Sequence, residues 1–159
     1  MSLTHLDADG RARMVDIGDK PTSAREAAAS GRVRMRAETL AAALSGDGKK
    51  GDVRAVAELA GLMAAKRTSD LIPLCHPIAL SQIEVRVRAD EAASALVVSA
   101  VAKTSGQTGV EMEALTAVSV ACLVIYDMLK AIDRGMVIEA IQLDRKTGGA
   151  HGDYAREGA

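Results

Sequence analysis

A chain of 159 residues, 48% hydrophobic and 26% charged with a formal net charge of -1, suits one domain that buries roughly 70% of its unfolded surface. It has no Phe or Trp and only two Tyr, so Val, Ile, Leu, Met and Ala must fill the core, and Tyr126 and Tyr154 cannot build a base-stacking platform. The near-zero charge excludes a general nucleic-acid binder, the apolar fraction excludes disorder, and two Cys cannot make a disulfide scaffold.

Residues 1–13 read as a flexible polar arm without the apolar stretch of a signal peptide. Met14 to Ile17 is a candidate short strand. Arg32 to Arg36 alternates charge with apolar side chains, the period of a half-buried strand. A short Ala-rich helix over 37–44 follows, then a basic Gly-rich loop over 45–51, expected to be mobile. Asp52 is placed to N-cap a helix whose apolar positions are Val53, Val56, Leu59, Ala60 and Met63, ending near Thr68 or Ser69.

Two prolines stiffen the segment Leu71-Ile72-Pro73-Leu74-Cys75-His76-Pro77. Ile83, Val85 and Val87 alternate with charged residues as a strand, and a turn at 89–93 leads to a second strand over 95–103. The loop 103–109 opens a long helix running to about Asp133, with Thr108 and Glu111 as a capping-box pair and Gly135 as its C′ glycine. Residues 136–143 form the last strand, and 148–159 a flexible tail. The most apolar run, 114–126, is interrupted by Thr116 and Ser119 and closed by Asp127, short of the about 18 residues a membrane span needs. A soluble, cytoplasmic protein with no membrane partner is expected.

Counting from the strand at 32–36, the order is strand, helix, strand, strand, helix, strand. That predicts an α+β fold of ferredoxin-like (split βαβ) type, helices on one face of an antiparallel sheet, forming a single domain over 14–147. The long helix carries more apolar surface than one buried stripe requires. Its face lined by Ala114, Ala117, Ala121 and Cys122 is therefore expected to pack on another subunit, giving a homo-oligomer.

Several Lys and Arg, among them Lys50, Lys66, Lys130 and Lys146, sit at loops or element ends. If those ends converge, they suit a multiply anionic small molecule; otherwise they form a solvated rim. Asp127 and Lys130 share a helix face at i, i+3, as an acid–base pair in a cleft or as an ordinary ion pair. His76 is the one His in a stiff, apolar-flanked setting and suits proton transfer or phosphate binding. Adjacent Cys75 and His76 lack partners for a metal site. His5 and His151 read as solvated. Glu113, unlike Glu111, has no helix-capping role and could hydrogen-bond a substrate's amino or hydroxyl groups.

Taken in order, Lys50-Gly51-Asp52-Val53, Ala65-Lys66-Arg67-Thr68, Asp70 to Pro77, Thr108 to Ala117, Tyr126-Asp127-Met128 with Lys130-Ala131, and Lys146-Thr147-Gly148-Gly149 closely resemble the molybdenum cofactor biosynthesis protein C family, the cyclic pyranopterin monophosphate synthases. The resemblance covers essentially the whole chain. It implies conversion of 3′,8-cyclo-7,8-dihydroguanosine 5′-triphosphate, a cyclised dihydro-GTP made by a radical SAM enzyme, to cyclic pyranopterin monophosphate with release of pyrophosphate. It also implies a ferredoxin-like hexamer built from dimers with active sites at subunit interfaces. Asp127 and Lys130 would be the catalytic pair. Leu74, Cys75, His76, Met112 and Glu113 would line the substrate site, and Lys50, Lys66 and Lys146 would bind phosphates or assist proton transfers. No cofactor or resident metal is implied as required, although Mg²⁺ could accompany the pyrophosphate. The alternative from another class is a non-catalytic, nucleotide-sensing ferredoxin-like oligomer.

Overall fold

A computed structural model describes residues 5–7, 9–45, 51–149 and 152–157. Its elements in chain order are β1 (Ser23–Arg34), α1 (Ala37–Ser45), α2 (Val53–Ala65), α3 (Thr68–Leu71), β2 (Leu80–Asp90), β3 (Ala95–Gly106), α4 (Glu111–Leu129), β4 (Val137–Thr147) and β5 (Tyr154–Ala155). The strands form one sheet in the order β2-β3-β1-β4-β5, and every pairing is antiparallel. The expected α+β architecture is present. The loop expected over 45–51 falls mostly outside the described residues, as do Lys50 and His151.

The central strand is much longer than the expected 32–36. In β1, Ala27, Ala29, Gly31 and Val33 alternate into the core, although Ala, Ser and Gly are poor strand formers. Pairing on both edges overrides that weak preference. Gly31 is needed for close approach, since a Cβ there would stand 2.8 Å from a Val118 methyl. Residues 14–17 are not a strand; Asp16 accepts from Gly18 N–H at 2.9 Å and turns the chain instead.

Asp52 caps α2 as expected, its carboxylate accepting from the Arg54 and Ala55 N–H groups. The buried face of that helix is not the expected one. Val53, Ala57, Gly61, Ala64 and Ala65 face inward, whereas Val56, Leu59 and Met63 are exposed. Small residues face inward because α2 lies hard against α4, where a Cβ on Gly61 would be 2.8 Å from the Ala117 carbonyl oxygen. The helix stops at Ala65, with Thr68 opening the separate short α3.

The same packing corrects the oligomer face assigned to α4. Ala114, Ala117, Ala121 and Cys122 are fully buried within one chain, so this face of α4 belongs to the core, and only other positions such as Leu123 stay exposed. By length and composition its 19 residues would suffice to cross a bilayer, but half of them are buried inside the fold. It starts without the expected capping box: the N-cap is Val110, whose side chain has no acceptor to offer, and the Glu111 carboxylate pairs with Lys146 at 3.0 Å. It ends at Leu129, four residues early, and Gly135 is not in the left-handed region. The turn is closed instead by the buried Asp133 carboxylate, which accepts from Gly135 N–H at 3.0 Å. In the arms, Leu6 bridges Ala12, and the segment expected as a free tail carries β5, paired to β4.

Candidate functional site

Two contiguous chambers open beside the start of α4. One, of about 400 Å³, is walled by Leu74, Cys75 and His76 from the Pro-bracketed loop, by Met112 and Glu113 from α4, and by Val15, Ile17 and His5 from the N-terminal segment. The other, of about 480 Å³, is lined by Lys20, Arg25, Gln107 and Lys146. Lys20, Thr108, Gly109 and Glu111 belong to both. Residues expected at the site from positions 74–76 and 112–113 thus meet in one cavity, and Lys146 stands in its neighbour.

The chambers differ in chemistry. Around Glu113 the wall mixes apolar side chains, Val15, Ile17, Leu74, Ile78 and Met112, with the polar His5, Lys20 and His76. Glu113 is 3% exposed, and its Oε2 has no hydrogen-bond partner among the described residues. Burial, with the Glu111 charge as a lesser cause, pushes its carboxyl up to about 7, so at neutral pH it is close to half protonated. Burial, then the Glu113 charge, also raises the Cys75 thiol, which keeps it a neutral wall group. The second chamber brings three cations, Lys20, Arg25 and Lys146, against one carboxylate, Glu111. Arg25 is aimed by its bonds from Nε to the Gly106 carbonyl (3.0 Å) and from Nη2 to that of Gln107 (3.2 Å). The Gln107 amide ties down the Lys20 segment by donating to the Gly18 and Lys20 carbonyls.

Lys20, Arg25 and His5 were missed by sequence reasoning. Arg25 lies on a strand the composition hides, and His5 reads as solvated until the arm folds back. Among the cations at element ends, Lys103 and Arg145 are both committed to Glu26, at 3.0 and 2.6 Å. Lys66 is exposed at the C-cap of α2 and lines neither chamber.

Asp127 and Lys130 form an ion pair, Nζ to Oδ1 2.6 Å, with side chains 63% and 53% exposed. They are not in the cleft. Asp127 lies fourteen residues along α4 from Glu113, about 21 Å of helix axis. The described residues contain no cluster of three or more His, Cys, Asp or Glu able to hold a metal ion.

An antiparallel sheet backed by helices, with a cation-lined chamber opening into a second one beside the core helix, defines an α+β domain with a cleft of small-molecule size. The chain belongs to the MoaC family, whose model matches residues 14–149. It is similar to proteins named cyclic pyranopterin monophosphate synthase along nearly their whole length. The one from Roseiflexus sp. (strain RS-1) is 60% identical over 155 residues, 98% of each chain. That from Parvibaculum lavamentivorans is 59% identical over 96% of this chain and 95% of its own, and that from Methylobacterium sp. (strain 4-46) 58% identical over 99% of each.

Proposed function

We infer that the chain is an enzyme, a cyclic pyranopterin monophosphate synthase, acting at an early step of molybdenum cofactor biosynthesis. It converts 3′,8-cyclo-7,8-dihydroguanosine 5′-triphosphate to cyclic pyranopterin monophosphate and pyrophosphate. The observation that carries this reading, given the family, is the paired cleft: a chamber of heterocycle size holding the buried Glu113 carboxyl opens into one lined by Lys20, Arg25 and Lys146. Cations there would neutralise a triphosphate and hold its α-phosphorus for attack by a sugar hydroxyl. The new P–O bond forms as the bond to pyrophosphate breaks. Opening and reclosing the heterocycle needs protons moved at several atoms, for which Asp127 and Lys130 would serve as acid and base. Lys50 and Lys66 would add charge to the phosphates. No redox cofactor is needed for this net rearrangement, and Mg²⁺ would enter only with the phosphates.

We further infer that the active site is shared between subunits of a homo-oligomer, a hexamer built from dimers. Asp127 stands about 21 Å along α4 from Glu113 and Lys130 a turn further, too far for this pair and Glu113 to act on one small molecule from a single chain. Exposed Leu123 on α4 and Val56, Leu59 and Met63 on α2 supply apolar surface for such an interface. The strand order suits the ferredoxin-like, split βαβ arrangement. The protein would work in the cytoplasm, downstream of the radical SAM cyclase that makes its substrate.

The direct test is to incubate the isolated protein with the cyclised dihydro-GTP and assay both pyrophosphate and the fluorescent oxidised pterin. Both are expected. A nucleotide-sensing oligomer would bind the compound and release neither.

A further inference from the structure

The turn bearing Lys130 is held locally by backbone bonds, the Ile132 and Asp133 N–H groups donating to the Leu129 carbonyl at 2.9 and 3.1 Å. Lys130, Ala131 and Ile132 are all exposed, and α4 has ended at Leu129. What secures the turn to the rest of the chain lies beneath it. The Asp133 side chain is 5% exposed. Its Oδ2 accepts from the Thr39 hydroxyl and from the Arg36 N–H, each at 3.1 Å, while Oδ1 accepts from Gly135 N–H. The Arg36 guanidinium adds Nε at 3.5 Å to the same carboxylate and donates to the Ile132 carbonyl at 2.5 Å. On the far side, the Tyr126 hydroxyl donates to the Arg134 carbonyl at 3.1 Å, and Lys130 N–H donates to the Tyr126 carbonyl at 2.8 Å. The segment 126–134 is therefore a loop of backbone closed on itself, with one buried carboxylate fastening it to α1.

We propose that Asp133, held by Thr39 and Arg36, is a positioning residue that fixes the Lys130–Asp127 pair for proton transfer, without touching substrate. The proposal rests on the catalytic reading of that pair. A displacement of about 1 Å in an acid or base can cost on the order of 100-fold in rate. A buried anchor that fixes the backbone of the turn sets where the Lys130 side chain starts relative to Asp127 before substrate arrives.

The test uses the full-length protein with Thr39→Val, Thr39→Ser and, because the Arg36 side chain is exposed and its N–H survives substitution, Arg36→Met. Thr39→Val removes the hydroxyl at nearly constant volume. It should lower kcat about tenfold, leave KM within about twofold, and displace the limb of the kcat–pH profile that belongs to the pair. Thr39→Ser should restore both kcat and profile, and Arg36→Met should show the same pattern more weakly. The proposal is overturned if the Val and Met variants, assayed well below their melting temperatures, keep the wild-type kcat and profile. It is equally overturned if kcat falls and Ser does not rescue it. Should Lys130→Ala retain full turnover, the catalytic reading of the pair is what fails, whichever way the Thr39 series falls.

Discussion

The two ends of α4 are built on opposite plans. At its N-terminal end a single chain encloses Glu113, keeps one of its oxygens without a partner and closes a cavity over it with the Leu74–His76 loop. At its C-terminal end Asp127 and Lys130 pair at 2.6 Å in open solvent, where an ion pair is worth about 1 kcal/mol or less. The first end presents a buried carboxyl to a cavity of its own chain. The second offers chemical groups whose water no part of its own chain excludes. General acids and bases gain most where water is kept out, so in the shared site proposed above the exposed end would enter a cleft belonging to another copy.

The largest effect expected from this division is a complementation. Lys130→Ala should reduce conversion by two to four orders of magnitude, the usual worth of a positioned acid or base (about 10²–10⁴), with fold and assembly retained. Glu113→Ala should impair the opposite end. Mixed in equal amounts after reversible dissociation, two such inactive proteins should recover about a quarter of the wild-type rate, because a quarter of the shared sites take both intact halves. A site contained in one chain would recover nothing on mixing. The measurement is pyrophosphate release against mixing ratio.

Sequence reasoning sees the chemistry at both ends more clearly than the surfaces around them. The Pro-bracketed loop and the first turn of α4 are specific enough to be read together, and they do meet in one cavity. Strands with strong alternation, such as Ile83-Glu84-Val85-Arg86-Val87, are found with only their ends displaced. Several of the failures share one cause. Where Ala and Gly replace larger apolar residues, composition no longer says which face is inside, and neighbours decide. β1 is a strand because β3 and β4 flank it, and α2 buries Ala57 and Gly61 rather than Leu59 because α4 comes so close. Ala114, Ala117, Ala121 and Cys122 look like an interface from periodicity alone and are instead the middle of the core. Glu111 reads as a helix cap until the fold brings Lys146, distant in sequence, within 3.0 Å of it.

That close contact supplies a perturbation that should strike both ends alike. Gly61 sits where α2 crosses the middle of α4, with Ala117 oxygen, a Val85 methyl and Ala121 Cβ within 3.3 Å of any Cβ placed there. Gly61→Val must separate the helices, at about 1–3 kcal/mol for overpacking. The expected result is a lower denaturation midpoint, with conversion well below the new melting temperature falling for lesions of either half. A variant as stable as wild type would mean that the helices are not held at this spacing in solution.

The smallest effect is confined to the enclosed end and concerns pH. Burial raises the Glu113 carboxyl from its usual value near 4.5 to about 7, so the folded chain binds a proton that the unfolded chain has already released. Stability should therefore be fully present below about 4.5, decline as pH rises to about 7, and level off above it. Glu113→Gln keeps the size and hydrogen-bonding edge of the neutral acid but cannot ionise, so its stability curve should lack that decline. Denaturation midpoints at intervals from about pH 5 to 8 read both proteins. If Glu113→Gln follows the wild-type curve, the carboxyl is already solvated or paired in solution. The N-terminal end would then be no more finished within one chain than the C-terminal one.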